Sequence, residues 1–99
     1  MNISISPAVL AKLADPSHNV TKQEILECFA NRDRKFLTDN RPQHQAPIPT
    51  QWFVAETDYG RLLKVVFMYD RPVNTIIIKS AYPAGQHIVD IYHKHAPMI

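Results

Sequence analysis

Three strand-forming segments follow one another late in the chain and are separated only by short turns. Residues 51–57, 61–69 and 75–81 are rich in β-branched and aromatic side chains. The first turn, Asp58-Tyr59-Gly60, is a hairpin signal, and residues 70–74 form a second turn with Pro72 and Asn74. Because strands joined by tight turns pair in opposite directions, this pattern predicts an antiparallel meander.

Helix signals lie on both sides of the predicted meander. Ser6-Pro7 reads as an N-cap followed by the first helical residue, and Pro16 stops that helix at Asp15. Thr21-Lys22-Gln23-Glu24 is a capping box that begins a second helix, which ends near Asn31. Residues 86–95 carry apolar side chains at helical spacing and predict a last helix.

These elements together predict the fold class. Residues 34–39 form a plausible first strand before the meander, residues 2–5 a short edge-strand candidate, and residues 40–49 a proline-containing loop. The order predicts a single α+β domain over residues 1–99, with two N-terminal helices, a four-stranded antiparallel sheet and a C-terminal helix.

Composition and charge narrow the possible functions only slightly. The net charge is +2, and the positive excess lies entirely after residue 60, which permits an anionic partner. The single cysteine, Cys28, cannot form an internal disulfide, and its apolar helix position favours a buried thiol over a nucleophile. There is no leader segment and no apolar run long enough to span a bilayer, so we expect a cytoplasmic protein that does not bind membranes.

The strong catalytic and metal-binding signatures are absent from the sequence. The chain has two glycines, no CxxC, no HExxH and no GxSxG. His93 and His95 are two residues apart and point to different sides of a helix, so neither a metal nor a cofactor is predicted. Glu56 can act as a general base or pair across the hairpin with Lys64 or Arg61, and the pairing is favoured.

Basic and aromatic residues form the most suggestive set. In a meander the start of one strand lies beside the end of the next, so Arg61, Lys64, Lys79 and Tyr82 are expected at one end of the sheet. Cleavage of RNA by transphosphorylation needs positive charge for the phosphate and groups that move protons, and aromatic rings can stack bases. The alternative to a functional site is that these residues form a solvated rim of the sheet, where the basic side chains cover apolar surface.

The strand segments GRLLKVVF at residues 60–67 and IIIKSAY at residues 76–82 are followed by a helix with Tyr92. These segments resemble the C-terminal half of BrnT-like toxins of the RelE/ParE superfamily. The segment HNVT at residues 18–21 also resembles a segment of these toxins. The resemblance implies an endoribonuclease that acts on free or ribosome-bound RNA and is neutralised by a cognate antitoxin protein. Arg61 matches the hairpin arginine of these toxins, whereas Lys79 and Tyr82 stand where they have arginines.

A second resemblance involves PTQWFVAET at residues 49–57. It is similar to short bacterial proteins labelled ADP-ribosyl-(dinitrogen reductase) hydrolase, although the clustered carboxylates that such an enzyme needs are missing here. The label therefore carries no mechanism for this chain.

The sequence thus leads to a toxin-like endoribonuclease hypothesis, with a non-catalytic protein-interaction module as the alternative. The residues assigned to catalysis are Arg61, Lys79, Tyr82, Tyr92 and His93. The residues assigned to RNA binding are Arg61, Lys64, Lys79 and His44.

Overall fold

A mixed five-stranded sheet and three helices make up the protein, whose computed structural model describes residues 2–44 and 47–99 apart from the side chain of His44. The strands are β1 (Asn2–Ser4), β2 (Leu37–Thr38), β3 (Thr50–Glu56), β4 (Leu62–Asp70) and β5 (Thr75–Pro83). The helices are α1 (Pro7–Ala14), α2 (Lys22–Asn31) and α3 (Gln86–His95). The strand order across the sheet is β1-β5-β4-β3-β2.

The predicted meander is confirmed, because β3, β4 and β5 pair antiparallel in chain order. In the first turn the Thr57 N–H donates to the Arg61 carbonyl at 2.9 Å, and Gly60 has a φ of 82° that only glycine adopts freely. In the second turn Asn74 takes the left-handed conformation, with φ 47° and ψ 49°. Asparagine is among the few residues with side chains that tolerate this geometry, which explains its place there.

The prediction of a four-stranded antiparallel sheet is wrong in detail. β1 adds a fifth strand, parallel to β5, with Ile3 opposite Ile76. The alternation of polar and apolar residues over three positions is too short to predict which strand β1 pairs with. Its position in the sheet is determined by the free edge of β5 and by the apolar contact that Ile3 makes there. The first predicted strand, residues 34–39, is a strand only at Leu37–Thr38, because the Lys35 N–H turns away to the Pro97 carbonyl at 2.9 Å.

The helix limits follow the sequence signals closely. Asp15 caps the end of α1, and both hydrogen bonds of the Thr21–Glu24 capping box are present at the start of α2. The predicted last helix, residues 86–95, is α3. None of the helices described is long and apolar enough to cross a membrane.

The two faces of the sheet are covered unequally. On the first face α2 packs an aromatic cluster, in which the Phe29 ring lies 4.7 Å from Phe53 and 5.5 Å from Phe67. On the second face α3 covers one end, where Tyr92 contacts Trp52 with ring centres 5.7 Å apart. The rest of the second face is left concave and open beside α3, and it carries the polar and aromatic side chains that we consider as a functional site.

Candidate functional site

Two rows of side chains cross the open part of the second face. The register of β3, β4 and β5 places Val54, Lys64 and Tyr82 side by side in one row. The neighbouring row holds Trp52, Val66 and Ser80. Because side chains on alternate residues of a strand share a face, these six positions form one continuous surface.

Lys64 lies between two aromatic rings on this surface. Its Nζ is 4.5 Å from the centre of the Trp52 ring and 5.7 Å from the centre of the Tyr82 ring, both within cation–π range. Tyr82 is also held edge-on by His18, with ring centres 6.0 Å apart. Contacts with the two aromatic rings thus position the ammonium group of Lys64 over a partly buried area of the sheet surface.

A β-bulge brings another lysine to the same surface. The register shifts between Val66 and Phe67, so that Val66 faces Ser80 and Phe67 faces Ile78, and Lys79 is the extra residue. Lys79 is exposed and lines a cavity of about 230 Å³ together with Lys12 from α1. A larger cavity of about 830 Å³ adjoins it and contains Trp52, Lys64 and Tyr82.

The two cavities share several lining residues and form one depression, which we call the second-face groove. The shared residues are Asp39, Arg41, Val66 and Ser80. Arg41 pairs with Asp39 through contacts of 2.7 to 3.2 Å, and these hydrogen bonds raise the pKa of the guanidinium further. Among the residues that the structure describes, four basic side chains line the groove against one carboxylate; they are Lys12, Arg41, Lys64 and Lys79.

Arg61 lies outside the groove and has a structural role. Its guanidinium donates to the carbonyls of His18 at 3.0 Å and Asn19 at 2.7 Å, and it pairs with Glu24 at 3.0 Å. Burial of the Glu24 carboxyl favours its neutral form, but the Thr21 backbone N–H and the Arg61 guanidinium outweigh this and lower its pKa. The hairpin arginine thus fastens the α1–α2 turn to β4.

Tyr92 and His93 are also separated from the groove lysines. Tyr92 is fully buried, its hydroxyl donates to the Lys35 carbonyl at 3.0 Å, and burial raises its pKa to about 12. His93 lines a different cleft of about 630 Å³, with Asp33, Glu56 and Asp58. Of the predicted catalytic residues, the groove therefore contains Lys79 and Tyr82, and the predicted RNA-binding side chain of His44 lies outside the described residues.

Other sequence hypotheses are also placed by the structure. Cys28 is fully buried in the core with its Sγ 3.6 Å from the Ala55 carbonyl, which agrees with the buried-thiol interpretation. Arg61 pairs with Glu24 and not with Glu56, which faces Leu62 across the hairpin. In the part of the chain that the structure describes, no three His, Cys, Asp or Glu side chains converge to hold a metal ion.

The groove contains residues that the sequence reasoning did not select. Lys12, Arg41, Trp52 and Ser80 all line it. No family model, curated protein or solved structure matches the chain. The resemblance to BrnT-like toxins therefore stays a prediction, and any functional proposal rests on the groove itself.

The missed residues differ in how they could have been found. Counting back from the Asp58–Gly60 turn gives the pairs Val54–Lys64 and Trp52–Val66, which place Trp52 diagonally beside Lys64. No comparable signal exists for Lys12 and Arg41, because a helix and a loop that are distant in sequence bring them to the groove.

Proposed function

We propose that this protein binds single-stranded RNA in the second-face groove and acts on it as a toxin-like endoribonuclease. The observation that carries the proposal is the presence of four basic side chains and two aromatic rings in one concave surface. Basic grooves that contain stacking rings are the common means by which proteins hold single-stranded nucleic acids.

The basic residues suit an extended phosphate backbone. Lys64 comes from β4 and Lys79 from the bulge in β5, and Lys12 reaches the same groove from α1. Each of them can neutralise one phosphate and release a counterion, which makes binding salt-dependent. Arg41 keeps donors free for a phosphate while it remains paired with Asp39, because a guanidinium has five N–H groups.

The aromatic rings favour a single strand over a duplex. Trp52 and Tyr82 belong to the floor of a groove, with α3 along one side and the Asp39–Arg41 loop along another. Bases in an RNA duplex are stacked inside the helix and cannot reach such a floor, whereas the bases of a single strand can be splayed out onto it.

RNA cleavage is assigned to the same groove. Lys64 and Lys79 would stabilise the charge that develops on the phosphate, and the hydroxyl of Tyr82, which pairs with Lys64 across the strands, would transfer a proton. A cognate antitoxin protein is the partner that this activity would require, and it would act by covering the groove.

RNA binding is tested with a fluorescein-labelled eight-nucleotide oligouridylate, measured by fluorescence anisotropy between 50 and 200 mM salt. We expect the Lys64→Gln/Lys79→Gln double variant to bind at least tenfold more weakly at low salt. The slope of log affinity against log salt should flatten by about 0.7 for each lysine removed. Lys22→Gln is the matched control, since Lys22 begins α2 on the opposite side of the sheet. An unchanged affinity and slope in the double variant would exclude the groove as the RNA site.

Cleavage is tested by induced expression in a bacterial host and by incubation of the purified protein with a labelled transcript. We expect growth arrest and transcript cleavage with the native chain. In Tyr82→Phe cleavage should fall roughly 100-fold while oligouridylate binding stays within twofold, because only the hydroxyl is lost. Normal growth and intact RNA with folded, RNA-binding native protein would restrict the function to binding.

A further inference from the structure

Lys64 occupies the space between the two aromatic rings of the groove. Its side chain is partly exposed, and its ammonium contacts both rings and no carboxylate that the described structure records. A lysine on a rim usually extends into water to keep its charge hydrated. Here the charge lies over aromatic faces, which is where a flat ligand would stack.

We propose that Lys64 is an internal placeholder, and that a nucleobase displaces its ammonium from the Trp52 and Tyr82 rings when RNA binds. The proposal rests on the proposed RNA-binding function and specifies how the base is held. The released ammonium then turns to the phosphate that flanks the stacked base. Binding thus exchanges one cation–π contact for one stacking contact and one phosphate contact.

The position of the ammonium suits this exchange. A base centred where the ammonium lies would be 4.5 Å from the centre of the Trp52 ring and 5.7 Å from the centre of the Tyr82 ring. Both distances are in the range of about 4.5 to 7 Å at which aromatic rings contact each other. Ser80 and Asn40 line the same cavity and offer hydrogen-bonding groups for the edge of the base.

The exchange also favours the base on energetic grounds. Stacking of a base on an aromatic side chain strengthens binding by roughly 5- to 150-fold. A partly exposed ammonium–ring contact contributes only about 2- to 5-fold. The ammonium is in addition better satisfied beside a phosphate than over a ring, because the two carry opposite full charges.

The test uses Trp52 as a reporter, because it is the only tryptophan in the chain. Trp52 emission and anisotropy are followed together on titration with the labelled oligouridylate and with an abasic ribose-phosphate oligomer of equal length. We expect the oligouridylate to quench Trp52 with the same midpoint as the anisotropy change. The abasic oligomer should bind at least fivefold more weakly and leave the emission unchanged.

A pair of tyrosine variants separates stacking from general effects. Tyr82→Leu should lose most of the preference for oligouridylate over the abasic oligomer, whereas Tyr82→Phe should keep it. Tyr59→Leu is the control, since Tyr59 lies at the hairpin tip and is 97% exposed. Equal binding of both oligomers without quenching would overturn the placeholder role and leave phosphate binding by the groove intact. Absence of binding to either oligomer would overturn the proposed function, and the placeholder with it.

Discussion

Replacement of Arg61 by alanine is expected to lower the free energy of unfolding by about 3 kcal/mol. The guanidinium bonds the carbonyls of His18 and Asn19 and pairs with Glu24, and about two thirds of each charged side chain or more is shielded from solvent. Alanine leaves the Glu24 carboxylate without its partner and the two carbonyls of the α1–α2 turn without their donor. Urea unfolding followed by circular dichroism measures the change.

Two further arginine positions make the Arg61 test specific. Arg61→Lys should lose less than Arg61→Ala, because an ammonium keeps the charge but cannot reach all the acceptors that a planar guanidinium bonds at once. Arg71→Ala should change stability by less than about 0.5 kcal/mol, since Arg71 lies exposed in the turn between β4 and β5. Equal, small losses for Arg61→Ala and Arg71→Ala would contradict the structural role of Arg61.

The stability measured for Arg61→Ala also decides how a loss of toxicity in that variant is interpreted. From the sequence, Arg61 was assigned to phosphate binding because the meander places it at the basic end of the sheet and because it matches the hairpin arginine of BrnT-like toxins. In the structure its two terminal nitrogens already bond Glu24 and the turn that precedes α2. Loss of toxicity in Arg61→Ala would therefore report a weakened fold, and Lys64 and Lys79 are the positions that test the groove.

Much of the fold was predictable because its signals are local. The capping box Thr21–Glu24, Pro16 after α1 and the Asp58–Gly60 turn each act within a few residues of chain, and the structure follows them. The pairing of β1 with β5 and the shortness of β2 were not predictable in the same way. They depend on contacts between distant segments, such as Lys35 with Pro97, for which a single sequence carries no spacing rule.

The site was predictable only as far as the strand register reached. Lys64 and Tyr82 were expected at one end of the sheet, and the register places them directly opposite each other. Lys79 was expected beside them, but the bulge sets it into the adjoining cavity. The strand register does not say whether a side chain faces a groove or a helix, because that depends on what covers each face of the sheet. The covering of the two faces is determined only when α2 and α3 pack on opposite sides.

Raising the pH from about 9 to 12 is expected to remove several kcal/mol of stability through two buried groups, Cys28 and Tyr92. Burial raises the pKa of the Cys28 thiol from 9.0 to about 12, and nearby Glu24 and Glu27 act in the same direction. Burial likewise raises the pKa of Tyr92 from 10.0 to about 12. Each group is neutral when protonated, so the folded state holds its proton more tightly than the unfolded state does.

The direction of the pH dependence follows from that difference. Below pH 9 both groups are protonated in both states, and the stabilisation is fully present. As the pH rises, the unfolded chain releases its protons first, so the free energy of unfolding falls. When the folded values are passed, the loss is roughly 4 kcal/mol for Cys28 and roughly 3 kcal/mol for Tyr92. Urea unfolding at intervals from pH 8 to 12 measures the decline.

A double variant separates the contribution of these two groups to the pH dependence of stability from that of the lysines, which lose their charge over the same pH range. Cys28→Ala/Tyr92→Phe should begin with a lower stability, because the core loses a thiol and the Lys35 carbonyl loses its donor. Its decline above pH 9 should nevertheless be much shallower than that of the native chain, and equal slopes would show that neither group is linked to folding.

A shallow slope in the double variant would also mean that Cys28 and Tyr92 of the native, folded protein do not exchange protons readily near neutral pH. Tyr92 would then not serve as the proton-transfer group of the proposed RNA cleavage, which is assigned to Tyr82 beside Lys64 in the groove.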